Sequence, residues 1–296
     1  MKRSKLILLI SIVLFSCRNS PKEQAYTSGS THILVDESFA PIIEDQAYVF
    51  QNTYPKAKLN LVYKPENELM RLFLNDSIRV VVLSRVLTQE EAKFYERRKI
   101  KIRATRFAID GIALITHQGS GDSITTVLEI LNVLQGKSSK IKNLIFDNSN
   151  SSIVRYFKEM AGVKTFPIIG VYALKSNSDV INYVYENPGS VGVVGVNWML
   201  QPDMSLERVV AQLKVLGVKN LPNKLGSDAY YKPSQNDIAL GLYPFTRYLY
   251  IINCEGGPGL GAGFASFLAG ERGQRIILKS GLLPNRIPSR EVITRN

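Results

Sequence analysis

Residues 80–91, Val-Val-Val-Leu-Ser-Arg-Val-Leu-Thr-Gln-Glu-Glu, contain the pattern that predicts the architecture of this chain. The four consecutive apolar residues 80–83 are typical of a strand buried on both faces, as in a parallel sheet covered by helices. Thr88 and Glu91 have the spacing of a capping box, which indicates that a helix begins there. A polar loop that starts at Ser84 joins the two elements. The unit is therefore a strand, a polar loop and a helix.

The same unit occurs at two other places in the chain. Residues 33–35 form a short apolar strand, and Ser38 and Pro41 follow at the start of a helix, where proline fits because its missing N–H is not needed. Residues 144–146 form another apolar strand, and a polar loop at 147–152 leads into a third helix. Strands that alternate with helices predict an α/β fold with helices flanking the sheet.

The length of the chain indicates more than one folding unit. Its 296 residues exceed what one hydrophobic core usually serves, so we expect two lobes. Hydrophobic residues make up 45% and charged residues 21%, a balance that is typical of a globular protein and argues against a disordered or fibrous chain.

The charge and the small number of histidines and cysteines narrow the classes of function. With 37 Lys and Arg against 25 Asp and Glu, the formal charge of +12 favours anionic partners, from nucleic acid to lipid headgroups to small anions. The histidines are His32 and His117, and the cysteines are Cys17 and Cys254. This set is too small and too scattered for a zinc site, a disulfide framework or a Cys/His nucleophile pair. We therefore expect no metal, no cofactor and no enzymatic activity.

The first residues resemble a bacterial lipoprotein signal. Basic residues precede an apolar run at 6–15 that is too short to span a bilayer. The run ends in Leu14-Phe-Ser-Cys17, which is similar to a lipobox, where the cysteine sulfur is acylated and the chain is cut before it. We expect a signal peptide at 1–16, lipidation of Cys17 and a flexible tether at 17–30. The alternatives are an ordinary secretion signal with an incidental cysteine, or a buried N-terminal strand.

Hydroxyl side chains occupy the predicted strand-to-helix loops. In an open α/β sheet such loops lie at the carboxyl ends of the strands and line the ligand crevice. Helix N-termini present unpaired N–H groups and a positive dipole end there, which suit an anion. The hydroxyl residues of the three loops are Ser38, Ser84, Ser151 and Ser152. Their side chains add neutral donors, so the predicted ligand is a small oxyanion. The alternative is that each serine only caps its helix.

Seven short phrases together resemble one protein family. They are Asp36-Glu-Ser-Phe-Ala-Pro41, Leu83-Ser-Arg85, Leu87-Thr-Gln-Glu-Glu91, Ala108-Ile-Asp-Gly-Ile-Ala113, Asn187-Pro-Gly-Ser-Val-Gly192, Tyr243-Pro-Phe-Thr-Arg-Tyr-Leu-Tyr250 and Gly273-Gln-Arg-Ile-Ile-Leu-Lys-Ser-Gly-Leu-Leu-Pro284. Their order along nearly the whole chain resembles the substrate-binding lipoproteins of phosphate ABC importers, which have the type II periplasmic-binding-protein fold. The resemblance implies two lobes, each a mixed sheet flanked by helices, that close by a hinge around a dry ligand. Lobe 1 would comprise residues 31–110 and 243–296, and lobe 2 would comprise residues 111–242.

The resemblance also assigns ligand binding to three loops. The family's first anion loop falls on Ser38-Phe39, and its second falls on Ser84-Arg85. Its third loop, an arginine followed by Ser-Gly-Thr at a helix start, falls on residues 147–152. The ligand contacts implied in the third loop are Asp147, Asn150, Ser151 and Ser152.

This chain departs from the family pattern in the third loop. Asp147 occupies the position of the arginine, and the Gly and Thr are absent. A guanidinium fork normally grips two oxyanion oxygens, so another arginine must replace it if phosphate is the ligand. Arg85 and Arg155 are the nearest candidates, and each could instead be a surface ion-pair residue. A buried carboxylate would accept the proton that distinguishes phosphate from sulfate. Asp36, Glu37 and Asp147 are all candidates for that role.

The function implied by the resemblance is a monomeric, lipid-anchored binding protein that is exported and faces the periplasm or the cell exterior. It would capture phosphate or a related small oxyanion and deliver it to an ABC permease in the inner membrane. Membrane lipid would be held through Cys17, and no nucleic acid would bind. Two alternatives keep the export signal: an enzyme that acts on phosphoesters, and a sensory or adhesive lipoprotein that no longer imports anything.

Four further features are predicted from local pattern. We expect a helix over residues 123–134 and a single C-terminal helix over residues 262–279. Asp110 lies where the chain would cross between the lobes, and we interpret it as a hinge or turn residue. Trp198 follows a strand, and we interpret it as a core or hinge packing residue.

Overall fold

The computed structural model describes residues 25–288. The predicted signal peptide, Cys17 and most of the predicted tether therefore lie outside the described residues. The strands are β1 Gly29–Asp36, β2 Ala57–Lys64, β3 Val80–Leu83, β4 Arg103–His117, β5 Ile124–Thr126, β6 Leu144–Phe146, β7 Val171–Ala173, β8 Val191–Gly195, β9 Leu213–Val215, β10 Gly217–Lys219, β11 Thr246–Asn253 and β12 Leu283–Pro284.

The helices alternate with the strands along most of the chain. A 3₁₀ turn at Glu37–Phe39 leads into the first of them. They are α1 Ala40–Thr53, α2 Glu66–Leu74, α3 Gln89–Glu96, α4 Val127–Leu134, α5 Ser152–Ala161, α6 Asn177–Glu186, α7 Val196–Leu200, α8 Glu207–Val210, α9 Gln235–Ala239, α10 Leu260–Ala269 and α11 Glu271–Lys279. Within residues 25–288, none combines the length and the hydropathy needed to span a bilayer.

One large mixed sheet runs through the molecule in the order β2-β1-β3-β11-β4-β8-β6-β7, and β9 and β12 also pair with β4. Strands β1, β2 and β3 are parallel, and β11 is antiparallel to both β3 and β4. Strands β6, β7 and β8 are parallel to one another and antiparallel to β4. The predicted α/β architecture is confirmed, and the fold has two lobes.

Strand β4 connects the two lobes. Its residues 103–111 pair with β11, and its residues 112–117 pair with β8 and β9. The lobe boundary predicted between residues 110 and 111 lies beside this change of partner. The strand is not interrupted there, however, so the interpretation of Asp110 as a turn residue is wrong. Its side chain has a different role, which is described below.

The cores form where apolar spacing predicts a buried face. Ile43, Ala47 and Phe50 follow one another at helical steps on α1, and all three are buried. Phe50 meets Phe264 of α10 edge-to-face, with ring centroids 5.4 Å apart. In a second core cluster, Phe157 of α5 packs in the same manner on Phe245, at 5.2 Å. Each such buried side chain contributes roughly 1.5–3 kcal/mol, so these clusters fix the helices against the sheet.

Two of the predicted helices differ in the structure. Residues 124–126 form β5, because the β-branched Thr125 and Thr126 pair with β10, and α4 begins only at Val127. The predicted C-terminal helix is two helices, α10 and α11, which meet at an extended Gly270. A Cβ on Gly273 would lie 2.3 Å from the Phe267 carbonyl oxygen, so a glycine permits the tight corner between the two helices.

Candidate functional site

The loops that follow β1 and β6 meet at the centre of the molecule. Strand β1 ends at Asp36, and strand β6 is followed directly by Asp147. The hydroxyl group of Ser38 lies 3.5 Å from Asp147 Oδ2, although the two residues are 109 positions apart in the sequence. Ser38 and Asp147 are fully buried. The structure thus brings the predicted first and third anion loops together, with one loop from each lobe.

The first loop is held in place by hydrogen bonds on both sides. Asp36 Oδ1 accepts a bond from the Ser38 N–H at 3.0 Å and so caps the 3₁₀ turn. The Ser38 carbonyl oxygen accepts bonds from the Trp198 indole N–H at 3.1 Å and from the Asn197 amide at 3.4 Å. Trp198 is therefore more than a packing residue, because it fixes the position of the loop that carries Ser38.

The third loop forms the N-terminus of α5. Asp147 Oδ1 accepts a bond of 2.6 Å from the Ser151 hydroxyl, and that hydroxyl accepts a bond of 3.1 Å from the Val154 N–H. Asp147 Oδ2 lies 3.3 Å from the Asn177 amide nitrogen of α6. Ser152, the first residue of α5, is fully buried. Since the first N–H groups of a helix have no intrahelical partner, the positive end of α5 faces the centre of the site.

A buried arginine from outside the three predicted loops lies beside the first and third of them. Arg247 of β11 is 5% exposed and lies opposite Asp110 in the β4–β11 ladder. Its Nε donates to Asp110 Oδ2 at 2.9 Å, and its Nη1 donates to the Ser152 hydroxyl at 2.8 Å. The guanidinium group stacks on the Phe39 ring, 4.4 Å from the ring centroid. Asp110 and Phe39 thus orient a rigid donor group towards the start of α5.

Four buried polar atoms near this arginine have no hydrogen-bond partner within the described part of the chain. They are Arg247 Nη2, Asp36 Oδ2, Asp110 Oδ1 and Asn197 Oδ1. Arg247 Nη2 is 2.9 Å from Asp110 Oδ2, but the hydrogen-bond geometry is met by Nε and not by Nη2. A buried group without a partner costs about 1–3 kcal/mol. A ligand with both an acceptor and a donor would satisfy this set.

The second predicted loop lies in a separate cluster around the buried Glu66. Arg85 donates to Glu66 at 2.8 Å and also forms two bonds to Glu91. Arg155 donates to Glu66 at 2.8 Å and to the Ser84 hydroxyl at 3.0 Å. Every guanidinium nitrogen of Arg85 and Arg155 thus donates a hydrogen bond. Arg247 Nη2, although it forms an ion pair with Asp110, donates none to the residues that the structure describes.

Asn150 lies at the rim of the site and is not brought to its centre. Its carbonyl oxygen accepts a bond from the Asn67 N–H at 3.1 Å, and the two side-chain amides are 3.3 Å apart and exposed. This contact joins α2 to the loop before α5 and so bridges the two lobes. The Arg155–Glu66 ion pair at 2.8 Å bridges them in the same region.

Burial strongly perturbs the carboxyl groups of the site. It raises the pKa of Asp147 to about 6, against the effect of the hydrogen bonds that this carboxylate accepts. Burial and then the nearby Asp147 charge raise the pKa of Glu37 to about 7. Burial also raises the pKa values of Asp36 and Asp110, while the Arg247 charge acts in the opposite direction. The surroundings of these four carboxyl groups therefore favour their neutral forms more than water does. Across residues 25–288, no three His, Cys, Asp or Glu side chains are grouped to hold a metal.

Arg247 could have been found from the strand pattern. Positions 243, 245, 247, 249 and 251 alternate along β11 and its approach, and every one of them is buried. An arginine on the inward face of a strand requires a buried charge partner or a ligand. The pattern is hidden when only the aromatic residues of this segment are considered, because Tyr248 lies on the outer face of β11 and is 46% exposed.

Comparison with known proteins supports the fold. Residues 20–272 match the model of a family described as a PBP superfamily domain. A solved structure of a putative phosphate ABC transporter substrate-binding protein with bound phosphate, from Clostridium perfringens, is 18% identical, with a TM-score of 0.71, and covers 87% of this chain and 100% of that one. An ABC-type phosphate transport receptor from Vibrio cholerae is 17% identical, with a TM-score of 0.63 and coverage of 86% and 100%.

The fold is not confined to transport proteins. The CcmR regulatory domain from Synechocystis in complex with 2-PG is 13% identical, with a TM-score of 0.53, and covers 82% of this chain and 96% of that one. No curated protein sequence matches the chain at a significant level. At these identities the similarity establishes the fold, and the ligand has to be argued from the residues of the site.

Proposed function

The chain belongs to the PBP superfamily, and we propose that it is an extracytoplasmic solute-binding protein that captures phosphate or a closely related small oxyanion between its two lobes. The observation that carries this proposal is the buried Arg247, whose Nη2 has no hydrogen-bond partner in residues 25–288 and which lies beside the N-terminus of α5. Import of the ligand into the cytoplasm would follow its delivery to an ABC permease, and no chemical step is required of the protein.

The donors around Arg247 suit a tetrahedral anion. The guanidinium group supplies charge-assisted bonds, which are about twice as strong as neutral ones. The hydroxyl groups of Ser38 and Ser152 are fully buried on opposite loops, and the free N–H groups of α5 add further donors. In this arrangement Arg247 takes the part that the family pattern gives to an arginine at the position of Asp147. Arg85 and Arg155 are less suitable, because all three guanidinium nitrogens of each already donate hydrogen bonds within the described chain.

Among the three candidate carboxylates, Asp36 is the best acceptor for the proton of phosphate. Both oxygens of Asp147 already accept hydrogen bonds, and both oxygens of Glu37 face Asn177. Asp36 Oδ2 is buried and has no partner within the described residues. A carboxylate oxygen in that position would accept the proton of phosphate and would repel sulfate, which carries no proton near neutral pH.

Closure of the two lobes is expected to accompany binding. The contacts between Arg155 and Glu66, between Asn67 and Asn150, and between Glu37 and Asn177 all join one lobe to the other. A ligand that binds loops of both lobes favours the state in which these contacts form. The closed protein, which we expect to act as a monomer, would then present both lobe surfaces to the permease.

Thermal unfolding with a panel of oxyanions tests this function. Phosphate at 100 times its Kd should raise the free energy of unfolding by about 2.7 kcal/mol, which corresponds to a rise in Tm of roughly 4–5 °C for a chain of this length. Sulfate, molybdate and nitrate should have little effect. Ser152→Ala should reduce the phosphate response, whereas Ser227→Ala, in an exposed loop away from the site, should leave it unchanged.

The proposal would be contradicted if phosphate caused no rise in Tm and equilibrium dialysis showed no retention of phosphate by the protein. Release of phosphate from a generic phosphoester by the pure protein would instead support the enzyme alternative.

We further propose that Cys17 carries the lipid that holds the protein at a membrane, on the basis of the lipobox-like Leu14-Phe-Ser-Cys17. In cells that express the full chain, Cys17→Ser should move the protein from the membrane fraction to the soluble fraction. Cys254→Ser is the matched control, because Cys254 is buried in lobe 1 and should not affect fractionation. Equal fractionation of the two variants would exclude acylation at Cys17 as the anchor.

A further inference from the structure

A dense group of basic side chains covers one end of lobe 1. Residues 93–106 contain seven basic residues and a single acidic one, Glu96, a net charge of +6 where the whole chain carries +12. We call the seven residues the basic pole: Lys93, Arg97, Arg98, Lys99, Lys101, Arg103 and Arg106. All seven are exposed. Half of the net charge of the protein is thus concentrated on one short segment.

The basic pole lies at the end of lobe 1 that is remote from the candidate site. Strands β1, β3 and β4 run in the same direction, since β11 is antiparallel to both β3 and β4 and β1 is parallel to β3. Arg103 is the first residue of β4, and Asp110 lies seven residues further along the same strand, in the site. At about 3.3 Å per residue, Arg103 lies about 23 Å from Asp110 along the strand, and Arg106, the member of the pole nearest to Asp110 in the sequence, lies about 13 Å from it.

The N-terminal segment enters the fold at the same end. Strand β1 begins at Gly29, whose N–H donates to the Lys56 carbonyl oxygen at 2.9 Å. Lys56 and Lys58, at the start of β2, are exposed and add positive charge beside this entry point. The segment that carries Cys17 therefore joins the domain on the side of the basic pole.

The charges of the pole are largely uncompensated. Arg98 shares Asp76 with Arg79, at 3.0 and 2.8 Å. For Lys99, Lys101 and Arg103, no carboxylate of the described chain lies within ion-pair distance. Basic residues in the last turn of α3 are explained by their favourable interaction with the negative end of the helix dipole, and this effect does not extend beyond that turn. It does not explain Lys101 and Arg103, which lie beyond the helix, and Arg103 is already in β4.

We propose that the basic pole binds the surface of an anionic phospholipid membrane. A basic cluster beside a membrane anchor gains about 1 kcal/mol per Lys or Arg near an anionic surface. The inference goes beyond the proposed ligand binding: it rests on membrane anchoring and not on which anion the cleft holds.

Sedimentation with lipid vesicles tests the proposal. The experiment uses a shortened protein that begins at Arg18 and therefore lacks the cysteine that would be acylated. This form retains every described residue, 25–288, with the sheet and its cores. It should sediment with vesicles of equal parts phosphatidylglycerol and phosphatidylcholine and not with vesicles of phosphatidylcholine alone. Raising the salt from 0.1 M to 1 M shortens the Debye length from about 10 Å to about 3 Å and should release it.

Two matched variants separate a specific surface from net charge. Replacing Lys101 and Arg103 by Gln should lower the vesicle partition coefficient about 30-fold, given the contribution of each basic residue. Replacing Lys137 and Lys140 by Gln removes the same charge from an exposed loop of lobe 2 and should change it less than threefold. The phosphate response in thermal unfolding should be the same in both variants.

Equal losses in the two variants would overturn the proposal, because binding would then follow net charge alone. No binding to anionic vesicles, or equal binding to neutral ones, would overturn it as well and would indicate that the pole binds another partner, such as an acidic protein surface. A failure of the phosphate response with intact vesicle binding would count against the cleft ligand only.

Discussion

Replacing Arg247 by Lys will weaken phosphate binding about 100-fold. Lysine keeps the positive charge, but it lacks the planar fork that serves Asp110, Ser152 and the ligand at the same time. Each hydrogen bond to a charged group contributes about 1.5–3 kcal/mol, so the loss of one or two bonds corresponds to roughly two orders of magnitude in Kd. Isothermal titration calorimetry with phosphate measures this loss directly.

The control is Arg85→Lys. Arg85 is held by Glu66 and Glu91 and was a candidate from the loop pattern, so it tests the alternative assignment of the guanidinium group. We expect the Kd of the Arg85→Lys protein for phosphate to differ less than threefold from that of the unsubstituted protein. A larger loss in Arg85→Lys than in Arg247→Lys would reverse the assignment. The Tm of the free proteins should be recorded as well, since Asp110 keeps a cationic partner in Arg247→Lys.

The substitution Asp36→Asn should lower the preference for phosphate over sulfate about 100-fold. The amide oxygen of Asn can still cap the Ser38 N–H, so the loop should keep its conformation. The amide NH₂ in place of Oδ2 no longer accepts the proton of phosphate and no longer repels sulfate. Phosphate loses a charged hydrogen bond of about 1.5–3 kcal/mol, and sulfate gains a donor. Competition of both anions for labelled phosphate measures the ratio.

Glu37→Gln is the matched control for this experiment. Both Glu37 oxygens face Asn177, so this carboxyl group has no free acceptor for the ligand, and the preference should change less than threefold. If Asp36→Asn keeps the wild-type preference while Asp147→Asn loses it, the proton acceptor is Asp147. Loss of preference in none of the three variants would mean that discrimination does not depend on a carboxylate in this site.

Much of the fold was predictable because its signals are local. The buried strand 80–83 and the strand 144–146 have the predicted bounds, and the capping box of Thr88 and Glu91 forms as expected. Gly162 ends α5 in the left-handed conformation, at φ 65°, which glycine adopts without a steric cost. The errors occurred where two elements share one apolar pattern. The corner at Gly270 depends on packing between α10 and α11, which periodicity does not record.

The candidate site was predictable only in part. The sequence pattern correctly placed hydroxyl residues at the starts of helices: Ser38 and Ser151 both meet Asp147, and Ser152 meets Arg247. The pattern could not show that Ser84 and Arg85 belong to a separate cluster, because that depends on Glu66, a residue of another helix. The binding role of all these residues remains a prediction until the variants are measured.

The sequence by itself determined the alternation of strands and helices, the positive charge and the loops that carry hydroxyl groups, since each depends on neighbours within a few residues. Only the tertiary structure paired Arg247 with Asp110 and placed both beside Ser152. These residues lie on three different elements, and Arg247 and Asp110 are 137 positions apart. The physical reason is strand order: β11 inserts between β3 and β4, and that order is fixed by the packing of the whole sheet and not by any local segment.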